Sequence, residues 1–293
     1  MTNSIPVSVL ALWRDSGAHI DRVLGQLDQL IQDRRDINFE FYFYENDSKD
    51  NTKEKLEEWL KNKNGKLLSE TLHTPKFGSV PYIERLILLA YYRNKLKKLA
   101  ENTTSHYTLY IDSDMIFNTD HFNQLLKLMH KRMYGDEIAM IISNTRQEGI
   151  PDIIDNRTED SFHDAFTLKD YYFNDALYFA DCPFVLERDR QQWLTEDLIR
   201  VRSGFGGFSM ILTEALKECS WSSWGNCEHV NFCLEVEKFG NIYIAPQCKP
   251  ITPIEIGVRD IQQWSQQKES QIKRINSINQ AHKFSISDSI KYA

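Results

Sequence analysis

Apolar and polar residues fall into blocks along the first half of the chain. Pro6-Val7-Ser8-Val9-Leu10-Ala11-Leu12-Trp13 is a short, nearly unbroken apolar run, the pattern of a strand buried on both faces. Ile20, Val23, Leu24, Leu27, Leu30 and Ile31 then recur at three- and four-residue spacing, which predicts an amphipathic helix. Phe39 to Tyr44 reads as a second strand and ends in a polar cluster from Glu45 to Thr52. A helix follows to about Lys61, with Leu56, Trp59 and Leu60 inward. Val80 to Leu99 predicts a longer helix, His106 to Ile111 a strand closed by Asp112-Ser113-Asp114, and Glu137 to Ser143 another strand. Strand and helix alternating at this rhythm imply right-handed βαβ units and an α/β fold with a mostly parallel sheet. Ligands in such sheets bind beyond the carboxyl ends of the strands. Trp13-Arg14, Glu45 to Asp50 and Asp112 to Asp114 all fall at such ends.

After about Ser143 the rhythm breaks. Residues 146–200 are irregular, aromatic and acidic. Ser203 to Leu212 holds a Gly-rich apolar turn, Asn231 to Phe239 looks helical, and Asn241 to Pro246 predicts a strand ended by proline. From Val258 onward the Gln-, Lys- and Ser-rich composition predicts a solvated helix and a loose end. There is no internal repeat and no low-complexity linker.

Composition narrows the functional classes. A chain of 293 residues buries a sizeable core, as one large domain or as two halves, and 41% hydrophobic residues exclude disorder. A net charge of -7 with no long Lys/Arg block argues against a nucleic-acid footprint. No stretch is apolar enough to span a bilayer, and Met1 to Pro6 lacks the pattern of a secretory signal. Five cysteines, all in the second half, fit reduced thiols and a cytoplasmic setting. A luminal location would instead require a removed anchor, and Cys219 with Cys227 would be its candidate disulfide.

Several clusters carry chemistry. Asp112 and Asp114, at a strand end and flanked by apolar runs, suit a hard divalent cation that keeps open positions for phosphate oxygens. In Glu45-Asn46-Asp47-Ser48, with Asp50 and Thr52, short polar side chains suit the edges of a nucleoside, although capping of the next helix accounts for Asp50 and Thr52. Arg85 and Arg93-Asn94 precede the Asp112 strand. A guanidinium there can fork onto a diphosphate, and Arg93 is favoured because Tyr91, Tyr92 and Leu96 surround it; a solvated helix face with Lys95, Lys97 and Lys98 is the alternative. Gly204-Phe205-Gly206-Gly207-Phe208 permits close backbone approach, and Glu228-His229 after Trp221 and Trp224 offers acid/base groups.

Taken in order, these blocks resemble the GT-A glycosyltransferase superfamily over roughly residues 7 to 250. Val7 to Arg14 is similar to its opening strand and Glu45 to Thr52 to its acidic nucleoside loop. Asp112-Ser113-Asp114 is similar to its metal-binding DxD, Gly206-Gly207-Phe208 to its glycine turn, and Glu228-His229 to its Glu-Asp helix. The Glu-Asn-Asp-Ser loop, Arg93-Asn94 and the Trp-Gly-x-Cys-Glu-His block look most like the fungal capsule-associated CAP59-type α-mannosyltransferases. The resemblance implies a nucleotide-sugar-binding half (1–145), an acceptor-binding half (146–257) and a C-terminal helical tail (258–293). It places Trp13, Arg14, Glu45, Asp47 and Ser48 against the donor, joined by Arg93, Ser113, Gly206 and Gly207. Asp112 and Asp114 would hold Mn²⁺ or Mg²⁺, and Glu228 and His229 would form the reaction centre. The implied activity moves a sugar from a nucleotide-sugar to a glycan or other hydroxyl acceptor; the narrower match implies GDP-mannose, Mn²⁺ and retention. His229 departs from the pattern, because many inverting members carry Asp there; His282 is the C-terminal histidine available to a metal site. A nucleotidyltransferase or sugar-nucleotide pyrophosphorylase is the alternative enzyme. It would need a Gly-rich basic loop after the first strand, and Trp13 to Gly17 is not one. A catalytically silent sugar-binding module is the third reading.

Overall fold

The computed structural model describes residues 5–77, 82–131, 137–151, 160–178, 180–224, 227–253 and 270–280, with the backbone alone at 148–151 and 160. The first half builds β1 (Ile5–Trp13), α1 (Ile20–Asp33), β2 (Ile37–Asn46), α2 (Thr52–Leu60), β3 (Gly65–Glu70), α3 (Ile83–Leu99), β4 (Tyr107–Asp112), α4 (Thr119–Met129) and β5 (Ile138–Ser143). The second half adds β6 (Arg146–Pro151), β7 (Asp160–Phe162), β8 (Lys169–Asp170), α5 (Glu187–Thr195), β9 (Ile199–Ser203), β10 (Phe208–Leu212), α6 (Thr213–Glu218), α7 (Glu228–Val236), β11 (Asn241–Ala245) and β12 (Ile251–Thr252). A last helix, α8, spans 270–280.

Nine strands form one sheet in the order β3-β2-β1-β4-β10-β5-β11-β9-β8, and β12-β6-β7 form a small second one. The β3-β2-β1-β4 part is parallel, as the alternating pattern predicts. β10 then enters antiparallel between β4 and β5, and beyond the parallel β5–β11 pair the sheet ends in antiparallel β9 and β8. The segment read as a Gly-rich turn is therefore two strands joined by that turn. Phe208 to Met210 are buried on both faces of the sheet, so no polar alternation marks β10 as a strand.

Helices cover both faces. Val7, Val9 and Ala11 of β1 pack with α1, α2 and α4, whereas Leu10 faces α3, as the two-residue side-chain period requires. The same parity places Trp13 in the first core, 1% exposed and edge-on to Phe43 at 5.5 Å between ring centroids. Its indole packs in that core and also lines a cavity at the ends of β1 and β2. All five cysteines are buried free thiols. Among the described residues no helix is long and apolar enough to cross a membrane.

The acidic loop after β2 is spent on architecture. Asp47 adopts φ +55°, and its Oδ1 accepts the N–H groups of Leu72 (2.7 Å) and His73 (2.8 Å). Its Oδ2 accepts the Thr74 N–H (3.0 Å), the Thr74 hydroxyl (2.7 Å) and the Asn46 amide (3.1 Å). Glu45 accepts the Ser48 N–H and the Ser69 hydroxyl; the Ser48 hydroxyl and Asp50 accept the N–H groups of Asp15 and Gly17 in the β1–α1 turn. Burial acts to raise the Asp47 pKa, but its hydrogen bonds from Thr74, His73 and Asn46 outweigh that and hold it well below the usual carboxylate range.

Asp47→Asn keeps one acceptor oxygen and loses the charge, so it is expected to destabilise the chain by about 2–3 kcal/mol at neutral pH. A carboxylate whose folded pKa is depressed stabilises fully above its unfolded value, near 3.9, and loses that contribution as pH falls through the folded value. Urea titrations should show the gap between wild type and variant narrowing below about pH 4. A gap unchanged down to about pH 2 would contradict this role.

Candidate active site

The antiparallel entry of β10 builds the site. It brings the turn Gly206-Gly207 against the carboxyl end of β4, where the Asp112 N–H donates to the Gly207 carbonyl at 2.8 Å. Both glycines have positive φ, +68° and +64°. A Cβ at Gly206 would meet the Ser143 carbonyl oxygen at 2.7 Å, and one at Gly207 would meet Asp112 Oδ2 at 2.9 Å. Only glycine fits this approach without displacing Asp112.

Asp112 and Gly207 line a cavity of about 270 Å³ together with Arg93, Phe205, Glu228 and His229. Arg93 projects from α3, 6% exposed, its guanidinium carbon 5.3 Å from the Tyr110 ring centroid and 4.9 Å from that of Phe205. Its Nε lies 3.5 Å from Glu228 Oε1. Burial acts to lower the Arg93 pKa, but Tyr110, Glu228 and Asp112 more than offset it, so the guanidinium stays charged. Glu228, 2% exposed at the start of α7, also accepts the Cys227 thiol at 3.2 Å. His229, 3% exposed, stacks on Phe205 at 4.1 Å and 14°. Its Nδ1 receives the Trp221 indole N–H at 3.4 Å, which assigns the ring proton to Nε2. Burial, then Arg93 and Arg85, push its pKa well below the ordinary imidazole value, so the ring is neutral. Arg93 Nε and Nη1 and His229 Nε2 are buried with no hydrogen-bond partner among the described residues. Such donors fit a ligand that brings oxygen acceptors.

Carboxylates concentrate here. Burial pushes Asp112 up to about 7, opposed by Arg93 and reinforced by Asp114 and Asp164. Asp164 accepts the Gly206 N–H at 2.7 Å and the Thr167 hydroxyl at 2.5 Å, and burial raises its pKa. Asp114 lies just outside the cavity lining, its Oδ2 3.4 Å from the Thr252 hydroxyl. Among the described residues no cluster of three or more His, Cys, Asp or Glu side chains could hold a metal. The donor set is thus two carboxylates, which suits a hard cation whose other ligands are phosphate oxygens and water.

A second cavity of about 220 Å³ opens at the ends of β1 and β2, lined by Trp13, Arg14, Asn46, Phe77, Tyr92 and Ser113 among others. It shares Arg85 and Leu89 with the first. Arg14, Lys76 and Arg85 make its lining cationic, with no carboxylate among the described lining residues. Arg14 is fixed by the Thr74 carbonyl at 2.7 Å, so the loop that Asp47 builds in turn places Arg14.

The structure therefore joins Asp112, Arg93, Gly207, Glu228 and His229 around one cavity, with Gly206 next to Gly207, and sets Trp13, Arg14 and Ser113 in the next. Glu45, Asp47 and Ser48 do not open into either cavity lining; their side chains hold the neighbouring loops. His282, Gly225 and Asn226 lie outside the described residues. Sequence reasoning missed His163, Asp164, Phe166 and Tyr178, which line the first cavity from the segment read as irregular. The signal was a His-Asp pair between aromatics, Phe162 and Phe166, in a stretch without periodicity.

No protein-family model matches the sequence, and no curated protein does. Solved structures do resemble it. GalNAc-T7 with UDP, GalNAc and Mn²⁺ superposes with a TM-score of 0.55 at 15% identity, covering 86% of this chain and 44% of that one. The mannosyltransferase PcManGT from Pyrobaculum calidifontis, in complex with GDP-Man and Mn²⁺, gives 0.51 at 10% identity, covering 91% of this chain and 61% of that one. The chain thus spans less than two thirds of either structure's length. At these identities the likeness assigns architecture: the chain has the GT-A fold.

Proposed function

We propose that this chain is a nucleotide-sugar-dependent glycosyltransferase. The observation that carries the reading is the meeting of Asp112, Arg93, Glu228 and His229 around one cavity that adjoins a cationic, partly aromatic second one. The nucleoside would occupy the second cavity against Phe77, Leu88 and Tyr92, with the diphosphate beside Arg85 and the sugar in the first cavity. Asp112 and Asp114 would hold a divalent cation, Mn²⁺ or Mg²⁺, which supplies charge neutralisation to the leaving diphosphate. In the transfer an acceptor hydroxyl oxygen bonds to the anomeric carbon, the bond from that carbon to the phosphate oxygen breaks, and the nucleoside diphosphate leaves with its electron pair. Glu228 is the group placed to take the hydroxyl proton. His229, carrying its proton on Nε2, cannot accept another there and would donate a hydrogen bond to a sugar oxygen instead.

The narrower reading is mannosyl transfer from GDP-mannose to a glycan hydroxyl. Its support is the resemblance of the Glu-Asn-Asp-Ser loop, Arg93-Asn94 and the Trp-Gly-x-Cys-Glu-His block to the capsule-associated mannosyltransferases, and a neighbour of the same fold that was solved with GDP-Man and Mn²⁺.

A thermal-shift screen of UDP-, GDP-, CMP- and dTDP-sugars tests the reading directly. One nucleoside-diphosphate-sugar should raise the melting temperature only with Mn²⁺ or Mg²⁺ present, by the mass-action stabilisation of about 2.7 kcal/mol at a hundred times Kd. Asp112→Asn should abolish that shift while keeping the fold. Gly207→Ala should do the same, because its Cβ would stand 2.9 Å from Asp112 Oδ2, and should also destabilise the chain, by about 1 kcal/mol or more. No response of the wild type to any of these donors would end the proposal.

Glu228→Gln should lower kcat by about a hundredfold or more with donor affinity kept within a few-fold. His229→Ala should chiefly raise KM. Because His229 is held neutral, it should contribute no acidic limb to the pH profile of turnover, and any limb near the imidazole range, where Asp112 titrates, should persist in His229→Ala. Such a limb, lost in His229→Ala, would show instead that the imidazole titrates during catalysis.

A further inference from the structure

α8 is far from the cavity in sequence yet grips one of its walls. Gln271, 8% exposed, accepts the Tyr178 N–H on Oε1 at 2.7 Å and donates from Nε2 to the Tyr178 carbonyl at 2.9 Å. Arg274 donates to the carbonyls of Ala176 and Asp175, and Asn279 bridges the Val185 carbonyl and the Glu187 N–H. Ile275 and Ile278 pack on Leu177, Ala180, Val185 and Leu186, a small core separate from the two that flank the sheet.

A residue with both peptide groups paired to one buried carboxamide is held as it would be by a neighbouring strand. Tyr178 is that residue, and it is 42% exposed where it lines the cavity that also contains Glu228. Its hydroxyl stays protonated, raised by burial and by Asp175, Asp164 and Cys227, the last of these adjoining Glu228. Its ring lines the same cavity as Glu228, the group to which the transferase reading brings the acceptor hydroxyl.

We infer that Gln271 is a positioning residue: by pairing both peptide groups of Tyr178 it fixes that ring as a wall of the cavity that would receive the acceptor, which makes α8 part of the site. The inference rests on the transferase reading only for the identity of the ligand. Gln271→Ala should raise the acceptor KM about tenfold, the loss of two buried hydrogen bonds, while kcat and the affinity for UDP or GDP with Mn²⁺ change less than about twofold. Gln271→Glu, which keeps the acceptor oxygen and loses the donor, should fall between. In a Tyr178→Ala background Gln271→Ala should add nothing, since contacting residues that act through one another are not additive. Amide exchange at Tyr178 should quicken in Gln271→Ala with no substrate present. Additive effects of the two substitutions, nucleoside diphosphate affinity falling in step with acceptor KM, or unchanged exchange at Tyr178 would each overturn the inference. If no donor is turned over at all, the function proposed above fails, and exchange at Tyr178 still decides whether Gln271 holds this wall.

Discussion

The site depends on one close approach, the Gly206-Gly207 turn against the end of β4. Antiparallel pairing sets Phe208 opposite Ile111, so the turn before Phe208 must pass directly over Asp112. The backbone can make that passage only with positive φ at two successive residues and with no Cβ toward Ser143 or Asp112. Asp164 accepts one N–H of the turn, the Thr145 hydroxyl donates to the Gly206 carbonyl, and Asp112 itself donates to the Gly207 carbonyl. The turn is thus held by the second half of the chain and holds a carboxylate of the first. A parallel strand in that place would have carried its turn to the opposite edge of the sheet.

That approach creates an electrostatic problem, because Asp112 and Asp164 line one cavity together with Glu228. Burial, and then neighbouring carboxylates, raise the pKa of Asp112 and of Asp164. Arg93 offsets part of this, and it is tuned for the task by its surroundings: the rings of Tyr110 and Phe205 favour a weakly hydrated guanidinium over an ammonium. The same cation makes a protonated His229 unfavourable. An aromatic wall, one arginine and a neutral imidazole therefore form a single arrangement. Removing Arg93 would alter the electrostatics of Asp112, Tyr110 and His229 as well as one contact.

How much of this was legible follows from where regular periodicity carried the information. β1, β2, β4 and their helices were readable because buried parallel strands are apolar throughout and their covering helices repeat at 3.6 residues. Asp112 was readable because it ends such a strand. Glu228 and His229 were readable as a pair, although their distance from Asp112 in the chain gave no hint that α7 and β4 share a cavity. β10 was not legible, since Phe208 to Leu212 follows two glycines and shows no alternation. Asp164 and Tyr178 were hidden for a related reason: they sit on loops fixed by hydrogen bonds to distant residues, Gly206 and Gln271, and no local pattern encodes such a bond.

The acidic loop shows how residue type alone leaves the chemistry open. Glu45, Asp47, Ser48 and Asp50 have side chains that suit a nucleoside, and each accepts a backbone N–H of this loop or of an adjoining one. A carboxylate that already accepts five hydrogen bonds has little capacity left for a ligand. Its effect is exerted one step away: Asp47 orders 72–74, Thr74 then anchors Arg14, and Arg14 gives the second cavity part of its positive charge. Recognition of an anionic nucleotide at this edge would then come from cations and apolar faces, with the acids as the frame that holds them. An acidic loop that opened into the cavity would instead repel a diphosphate unless a cation stood between them. Asp112 lines the first cavity with Asp114 just outside it; Arg93 offsets part of the charge, and in the proposed reading a divalent ion shared with the ligand would offset the rest.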